Sequence, residues 1–230
     1  VEFIGYNHPE GKRTYLRSLS FLVQKAARNL FPEKIFKINH SLPSGLYCKL
    51  RAEHIPDQDI MALREEMRRL VALDLPFTQE KIPSAKAEEI FRSQNQKLKA
   101  DLQHSLGNYF CTVYHLDGTT DNFYGPLVPS TGYLKVFDLA PFHHGFCLQY
   151  PADDDITKVI PRLKQKKLTV TLKEYGYWCK NTGIVGVGAL NHRLMVGKAV
   201  ELINLCEARQ ERAYAELADK IFADKDRVKI

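Results

Sequence analysis

Side chains that could do chemistry are few in this sequence, and the stretch most shaped to carry them is Asp121 to Gly132, Asp-Asn-Phe-Tyr-Gly-Pro-Leu-Val-Pro-Ser-Thr-Gly. It offers Asp121 and Tyr124 as groups able to take up or release a proton, so a hydrolytic site here needs one of them, or a water that they activate. Metal chemistry lacks a frame. No His-x-x-x-His or Cys-x-x-Cys spacing occurs, and the adjacent His143 and His144 would point to opposite faces of a strand, as ordinary sheet or turn histidines. Phosphate chemistry lacks one too: the pairs Gly11-Lys12 and Gly197-Lys198 miss both the leading glycine and the following Ser or Thr of a phosphate-binding loop.

The elements that would position this stretch follow from periodicity. Gly125 and Gly132 permit backbone conformations that other residues avoid, and Pro126 and Pro129 fix φ, which predicts a shaped loop. Strands are expected before it, Tyr109 to Leu116, and after it, Tyr133 to Leu139. Upstream, Val1 to Gly11 reads as a strand remnant and a turn from Asn7 to Gly11. A helix then runs from Thr14 to Leu30, stopped by Pro32. Ile35 to Asn39 and Leu46 to Arg51 read as a hairpin around Pro43-Ser44-Gly45. A second helix starts at Pro56-Asp57, with Asp57 and Asp59 in its first turn and Arg68 and Arg69 in its last. Phe77 to Ile82 is a short strand. Ser84 caps a helix to about Arg92, and polar sequence follows from Ser93 to His104.

These elements predict an α+β fold with an antiparallel sheet and packed helices, closing near Pro151, so that residues 1–151 form one domain and 152–230 a helical linker. In the linker an amphipathic helix is expected from Ile156 to Tyr177, then a break at Gly183, Gly186 and Gly188. A single helix from Asn191 to Phe222 follows, which would be about 45 Å long, and Asp226 to Ile230 reads as a strand just beginning. The apolar stripe of Val196, Val200, Ile203, Leu217 and Ile221 makes this 191–222 helix a connector and a surface for homo-oligomerisation.

Composition is that of an ordinary soluble chain, with 230 residues, 44% hydrophobic and 26% charged. No apolar run approaches the roughly 20 residues that span a bilayer, and no signal peptide is visible, which predicts a cytoplasmic protein without a membrane partner. Five separated cysteines, Cys48, Cys111, Cys147, Cys179 and Cys206, predict free thiols. The net charge of +6 permits contact with RNA without requiring it. Its local excess, at Lys158, Arg162, Lys164, Lys166, Lys167 and Lys173, reads first as a solvated helix face.

The order of four segments resembles the editing domain of threonyl-tRNA synthetases: RSLSFLVQKAARNLFP (Arg17 to Pro32), SGLYCKL (Ser44 to Leu50), the helix Asp57 to Leu73, and TDNFYGPLVP (Thr120 to Pro129). The resemblance covers about Thr14 to Pro151. It implies a domain whose first helix opens with a His pair and whose loop carries a Cys-x-x-x-His pair, together hydrolysing mischarged seryl-tRNA; in alanyl-type relatives the corresponding residues bind zinc. Here those positions are Arg17, Phe21, Phe123 and Leu127. Phe and Leu can neither ligate a metal nor move a proton, so the frame is kept, the editing site is degenerate, and no catalytic or metal-binding residue remains. A residual pocket would be lined by Arg17, Tyr47, Asp121, Tyr124 and Lys135. Its guanidinium suits a phosphate or carboxylate, or else is paired with Asp121.

The whole chain resembles bacterial nucleoside kinases of the uridine kinase and phosphoribulokinase type, in which a synthetase-like module precedes a P-loop domain. The similar segments are TYLRSLSF, YGPLVPSTGY, LKEYGYWCKNTGIVGVGALN (Leu172 to Asn191) and AVELINLCEARQERAYAELADKI (Ala199 to Ile221). The resemblance implies a non-catalytic module of an ATP-dependent transferase. Its partner would be the C-terminal kinase domain of the same polypeptide, absent here, which would hold the ATP and Mg while this chain holds no cofactor. The competing expectation is an aminoacyl-tRNA deacylase or a tRNA- or RNA-binding module.

Overall fold

The computed structural model describes residues 4–50, 54–161, 163 and 166–224. Helix α1 spans Pro9–Leu30. It starts five residues earlier than the apolar spacing suggests, because Pro9 opens it, Glu10 faces its N-terminal dipole and the His8 ring accepts from the Glu10 N–H at 3.2 Å. The predicted turn at Asn7 to Gly11 is therefore largely the first turn of α1.

Two antiparallel sheets flank this helix. In the first, β1 (Phe36–Leu42) and β2 (Gly45–Leu50) form the expected hairpin, and the strand order β1-β2-β7-β6 adds β6 (Asp138–Phe142) and β7 (Gly145–Gln149). Leu19, Leu22, Val23 and Ala26 of α1 and Ile60, Leu63, Met67 and Leu70 of α2 (Asp57–Ala72) pack on it, meeting Cys48, Leu50, Leu139, Phe146 and Leu148. The second sheet is β3 (Thr78–Pro83), β4 (Phe110–Leu116) and β5 (Thr119–Asn122), in the order β3-β4-β5. Its Ile82, Cys111 and Val113 pack against Ala87 and Phe91 of α3 (Ser84–Ser93) and Ala100 of α4 (Lys97–Leu106). Tyr114 and Leu116 pack against Phe21 of α1. Leu19, Leu22, Val23 and Ala26, three and four apart, thus face the first sheet while Phe21 faces the second, which ties the loop after β5 to α1.

Four local expectations are corrected. The polar stretch Ser93 to His104 contains α4, whose Ala100 and Gln103 are buried. Ser84 is no cap: its hydroxyl accepts from Gln103 Nε2 at 3.0 Å, linking α3 to α4. Tyr133 to Leu139 is not a strand until Asp138. A 3-10 turn over Thr131–Tyr133 comes first, held because the Thr131 hydroxyl donates to the Leu70 carbonyl (2.6 Å) and accepts from the Leu75 N–H (2.9 Å), while Asp74 accepts from Ser130 and from the Gly132 N–H. His143 and His144 occupy the turn between β6 and β7, with His143 at φ 50°, and do not sit on a strand.

Beyond Pro151 the helix expected at Ile156 begins only with α5 (Lys166–Asn181). Before it the Asp155 carboxylate caps its own turn by accepting from the Thr157 N–H at 3.0 Å, Pro151 bridges Val159, and Gln149 donates to the Ile160 carbonyl at 2.6 Å. Leu172 of α5 packs against Leu42, Tyr47 and Cys147. The single helix expected over 191–222 is two, α6 (Val187–Met195) and α7 (Ala199–Ala223). Gly197 at φ 74° breaks them apart: its N–H bonds the Leu194 carbonyl (3.1 Å) and the Lys198 N–H bonds the Arg193 carbonyl (3.0 Å), the paired closure of a left-handed helix end. Gly188 lets α6 lie directly on α4, since a Cβ there would stand 2.6 Å from the Leu102 nitrogen, and Asn191 donates to Ser105 Oγ at 3.0 Å. The strand expected at Asp226 to Ile230, and Arg162 and Lys164 of the basic run, lie outside the described residues. No described helix is long and apolar enough to cross a membrane. Cys48, Cys111 and Cys147 are buried, Cys179 is half-buried and Cys206 exposed, and none of the five forms a disulfide.

Candidate functional site

The loop after β5 is shaped by bonds from side chains to backbone. Ser18 Oγ accepts from the Val128 N–H (2.9 Å) while donating to the Thr14 carbonyl (2.8 Å), and the Tyr114 hydroxyl donates to the Gly125 carbonyl at 2.9 Å. Arg17 lies along the same loop, its Nε on the Pro126 carbonyl (3.1 Å) and its Nη2 on Thr14 Oγ1 (3.0 Å). Gly125 is at φ 129°, and a Cβ there would lie 2.8 Å from the Arg17 guanidinium carbon, so glycine is needed both for the turn and for the approach.

The four positions Arg17, Phe21, Phe123 and Leu127 are brought together. Phe21 is fully buried, its ring 5.4 Å from that of Phe123 and 5.8 Å from that of Phe77, and Phe123 stands edge-on to Tyr114 at 6.2 Å. Leu127 joins the same cluster. Three of the four positions thus make an apolar plug, and the fourth is a guanidinium spent on backbone and hydroxyl oxygens. A zinc ion does not fit these residues: the cluster holds no nitrogen, sulfur or carboxylate ligand. Among the described residues no group of three or more His, Cys, Asp or Glu is placed to hold a metal ion.

Asp121 is buried and pairs with Lys99 of α4, not with Arg17 as one expectation had it. Its Oδ1 also accepts from the Asn122 N–H at 2.7 Å, and its Oδ2 has no hydrogen-bond partner. Lys99 Nζ lies 5.7 Å from the Phe123 ring centroid, so one ammonium serves the carboxylate and an aromatic face together. Beside the plug opens a groove of about 510 Å³, lined by residues that include Gln79, Gln103, Asn108, Phe110, Asn122 and Tyr124. Cys111 also lines it, but burial pushes its thiol up, which keeps it protonated and unreactive near neutral pH. Burial raises the Tyr114 phenol as well, against the opposing pull of Arg17.

The five residues expected to share one pocket do not. Tyr124 lines the groove, Arg17 touches it through Gly125 and Pro126, and Asp121 sits behind it against Lys99. Tyr47 belongs to the other sheet, its ring 5.4 Å from Phe142 and 5.2 Å from His40, and Lys135 is exposed outside the groove lining. Lys99, Gln103 and Asn108 escaped notice because their stretch reads as polar coil. The one sequence signal near the groove is the aromatic pair Tyr109-Phe110 directly after that polar stretch, of which Phe110 lines the groove.

Over 131 residues the chain is 31% identical to the threonine–tRNA ligase of Lawsonia intracellularis, and over 141 residues 29% identical to that of Streptococcus thermophilus. The chain resembles threonyl-tRNA synthetases. The likeness takes in 56% and 60% of this chain but only 20% and 22% of those proteins, so the chain spans about a fifth of the length of the curated relatives it matches. No family model matches it. The α+β architecture, with antiparallel sheets and packed helices, fits the editing-domain-like fold that this likeness implies.

Proposed function

We propose that this chain is a non-hydrolysing module of the threonyl-tRNA synthetase editing type, which binds the unpaired end of a tRNA or another single-stranded RNA in the groove beside its plugged site. The observation that carries the reading is the packing of Phe21, Phe123 and Leu127 into one apolar cluster where hydrolysis needs ligands and bases. Three features of the groove favour RNA. Phe110 and Tyr124 are 56% and 72% exposed and offer faces on which bases stack. Lys81 Nζ lies 5.1 Å from the Phe110 ring centroid, which places a cation where a phosphate would pass. The side-chain amides of Gln79, Asn108 and Asn122 supply donors and acceptors for base edges.

Two measurements on the same preparation test this. Labelled tRNA should bind with an affinity that falls steeply with salt, and Tyr124→Ala or Phe110→Ala should weaken it by about 5- to 100-fold, as loss of one stacked base implies. Mischarged seryl-tRNA should survive incubation with the protein, and elemental analysis should find no stoichiometric zinc. Measurable deacylation, one zinc per chain, or no binding up to about 100 μM, the weak end of non-specific nucleic-acid contact, each overturns the proposal.

A finer reading places the module ahead of an ATP-dependent nucleoside kinase domain of the uridine kinase type. It is supported by the segments Leu172 to Asn191 and Ala199 to Ile221, which fall on α5–α6 and on α7, outside the sheets. Reading the gene past Ile230 tests it: a phosphate-binding loop soon after that codon supports the kinase, and a stop codon there refutes it.

A further inference from the structure

Helix α7 carries an apolar seam that the described residues leave largely exposed. One flank of the helix turns to α5, where the Arg209 guanidinium lies 4.5 Å from the Trp178 ring centroid and Leu202 is half-buried. About a quarter turn round from this flank, Val200, Ile203, Tyr214, Leu217 and Ile221 recur at alternating spacings of three and four, with Glu207 and Gln210 completing the series at its middle. No residue of α7 is buried, and Val200, Ile203, Tyr214 and Leu217 are 66%, 52%, 61% and 54% exposed. A helix that leaves such a seam in water gains nothing from it towards its ordering entropy.

The order of side chains along the seam reads the same in both directions: two apolar layers, two polar ones, two apolar ones. We propose that this seam is the interface of an antiparallel homodimer centred between Ala208 and Arg209. In that register Val200 meets Leu217 of the second copy, Ile203 meets Tyr214, and Glu207 meets Gln210. Every outer layer is apolar on both sides, and the central layer sets a carboxylate acceptor against an amide donor. Gln210 is already oriented, since its Nε2 donates to the Tyr214 hydroxyl of its own helix at 2.6 Å, which leaves its second N–H for Glu207 of the second copy. A parallel pair would set Glu207 against Glu207, two like charges at the heart of the contact, so the polar layer selects direction as well as partner. Beside the seam, Asn204 falls near Glu211 of the second copy and Cys206 near Ala213, so no like charges meet there. A two-fold interface requires this self-complementarity, whereas a contact with an unrelated protein does not.

Sedimentation of the full chain from about 1 to 100 μM, a range that brackets micromolar association, should show a monomer–dimer equilibrium. Ile203→Asp and Leu217→Asp should each weaken it at least about tenfold, because a charge is then buried without a partner, with the far-ultraviolet circular dichroism unchanged. Direction is read separately in a Cys179→Ser/Cys206→Ser background. Under glutathione disulfide, Val200→Cys alone and Leu217→Cys alone should stay uncrosslinked, and an equal mixture of the two should give a covalent dimer. Cross-linking of Val200→Cys alone shows a parallel pair and overturns the register. A monomer at every concentration, unmoved by Ile203→Asp, overturns the interface.

Discussion

Replacing Phe21 by histidine brings an imidazole into the apolar plug, and the packing sets what this costs. Phe21 is fully buried, with rings at 5.4 and 5.8 Å on two sides and Leu116 and Leu127 in the same cluster. An imidazole keeps much of the ring volume, so little cavity is left. It loses about 1–2 kcal/mol of apolar transfer and places an N–H among the rings of Phe77 and Phe123 and the side chains of Leu116 and Leu127, none of which accepts a hydrogen bond. An unpaired buried donor costs about 1–3 kcal/mol. The sum, about 2–5 kcal/mol, corresponds to a fall in melting temperature of about 10 °C for a chain of this length. The penalty also has a pH signature. Burial holds the folded imidazole neutral while the unfolded chain takes up a proton near pH 6.5, so the unfolded state binds more protons below that pH and stability is lost as pH falls, by up to about 1.4 kcal/mol per unit. Calorimetry at pH 8, 6.5 and 5 should therefore show a gap from the wild type that widens on acidification. A melting point within about 2 °C of the wild type at pH 8, or a gap that narrows towards pH 5, refutes the plug.

Burial pushes the phenols of Tyr15 and Tyr47 up to about 12, so between pH 10 and 12 the folded chain holds protons that the unfolded chain has released. Stability should be full below pH 10 and fall towards pH 12; Tyr15→Phe should flatten that fall in alkaline melts while costing about 1–3 kcal/mol at pH 8, because the hydroxyl now donates to the Val136 carbonyl (2.9 Å) and accepts from its N–H (3.1 Å). Gly188→Val should lift α6 from α4, since even a Cβ would stand 2.6 Å from the Leu102 nitrogen. Trypsin should then cut at Arg193 and Lys198 severalfold faster while the main melting transition stays in place; unchanged cleavage would mean that α6 is held by something other than this contact.

Most of the fold was legible where periodicity and punctuation agree. Helix α2, β2 and β3 fall within a residue of expectation and β1 runs three residues past its expected end at Asn39, because Pro56 and the acidic first turn mark the helix and Pro43-Ser44-Gly45 the hairpin turn. Misreadings came where a side chain far away in sequence decides the local backbone. Nothing near Tyr133 announces that Leu70 and Leu75 will engage Thr131 and delay the strand. Helix α4 was invisible because its buried face is only Ala100 and Gln103, too small and too polar to register as a stripe. The reverse error, one helix read across Gly197, followed from trusting an apolar period over a glycine that ends it. The site was half legible: Arg17, Phe21, Phe123 and Leu127 do come together, whereas the groove depends on Gln103 and Asn108, which only the packing of α4 brings to the loop.

The loop after β5 relies little on the quartet for its shape. Its path is set by Ser18 on the Val128 N–H, Tyr114 on the Gly125 carbonyl, Arg17 on the Pro126 carbonyl and the Phe77 N–H on the Pro129 carbonyl, and three of these four bonds come from outside the quartet. Phe21, Phe123 and Leu127 make none of these bonds, so a polar or an apolar side chain at those three positions leaves the backbone path in place. Apolar side chains there pack where polar ones would have to be solvated or paired, which stabilises the junction of α1 with the β3-β4-β5 sheet.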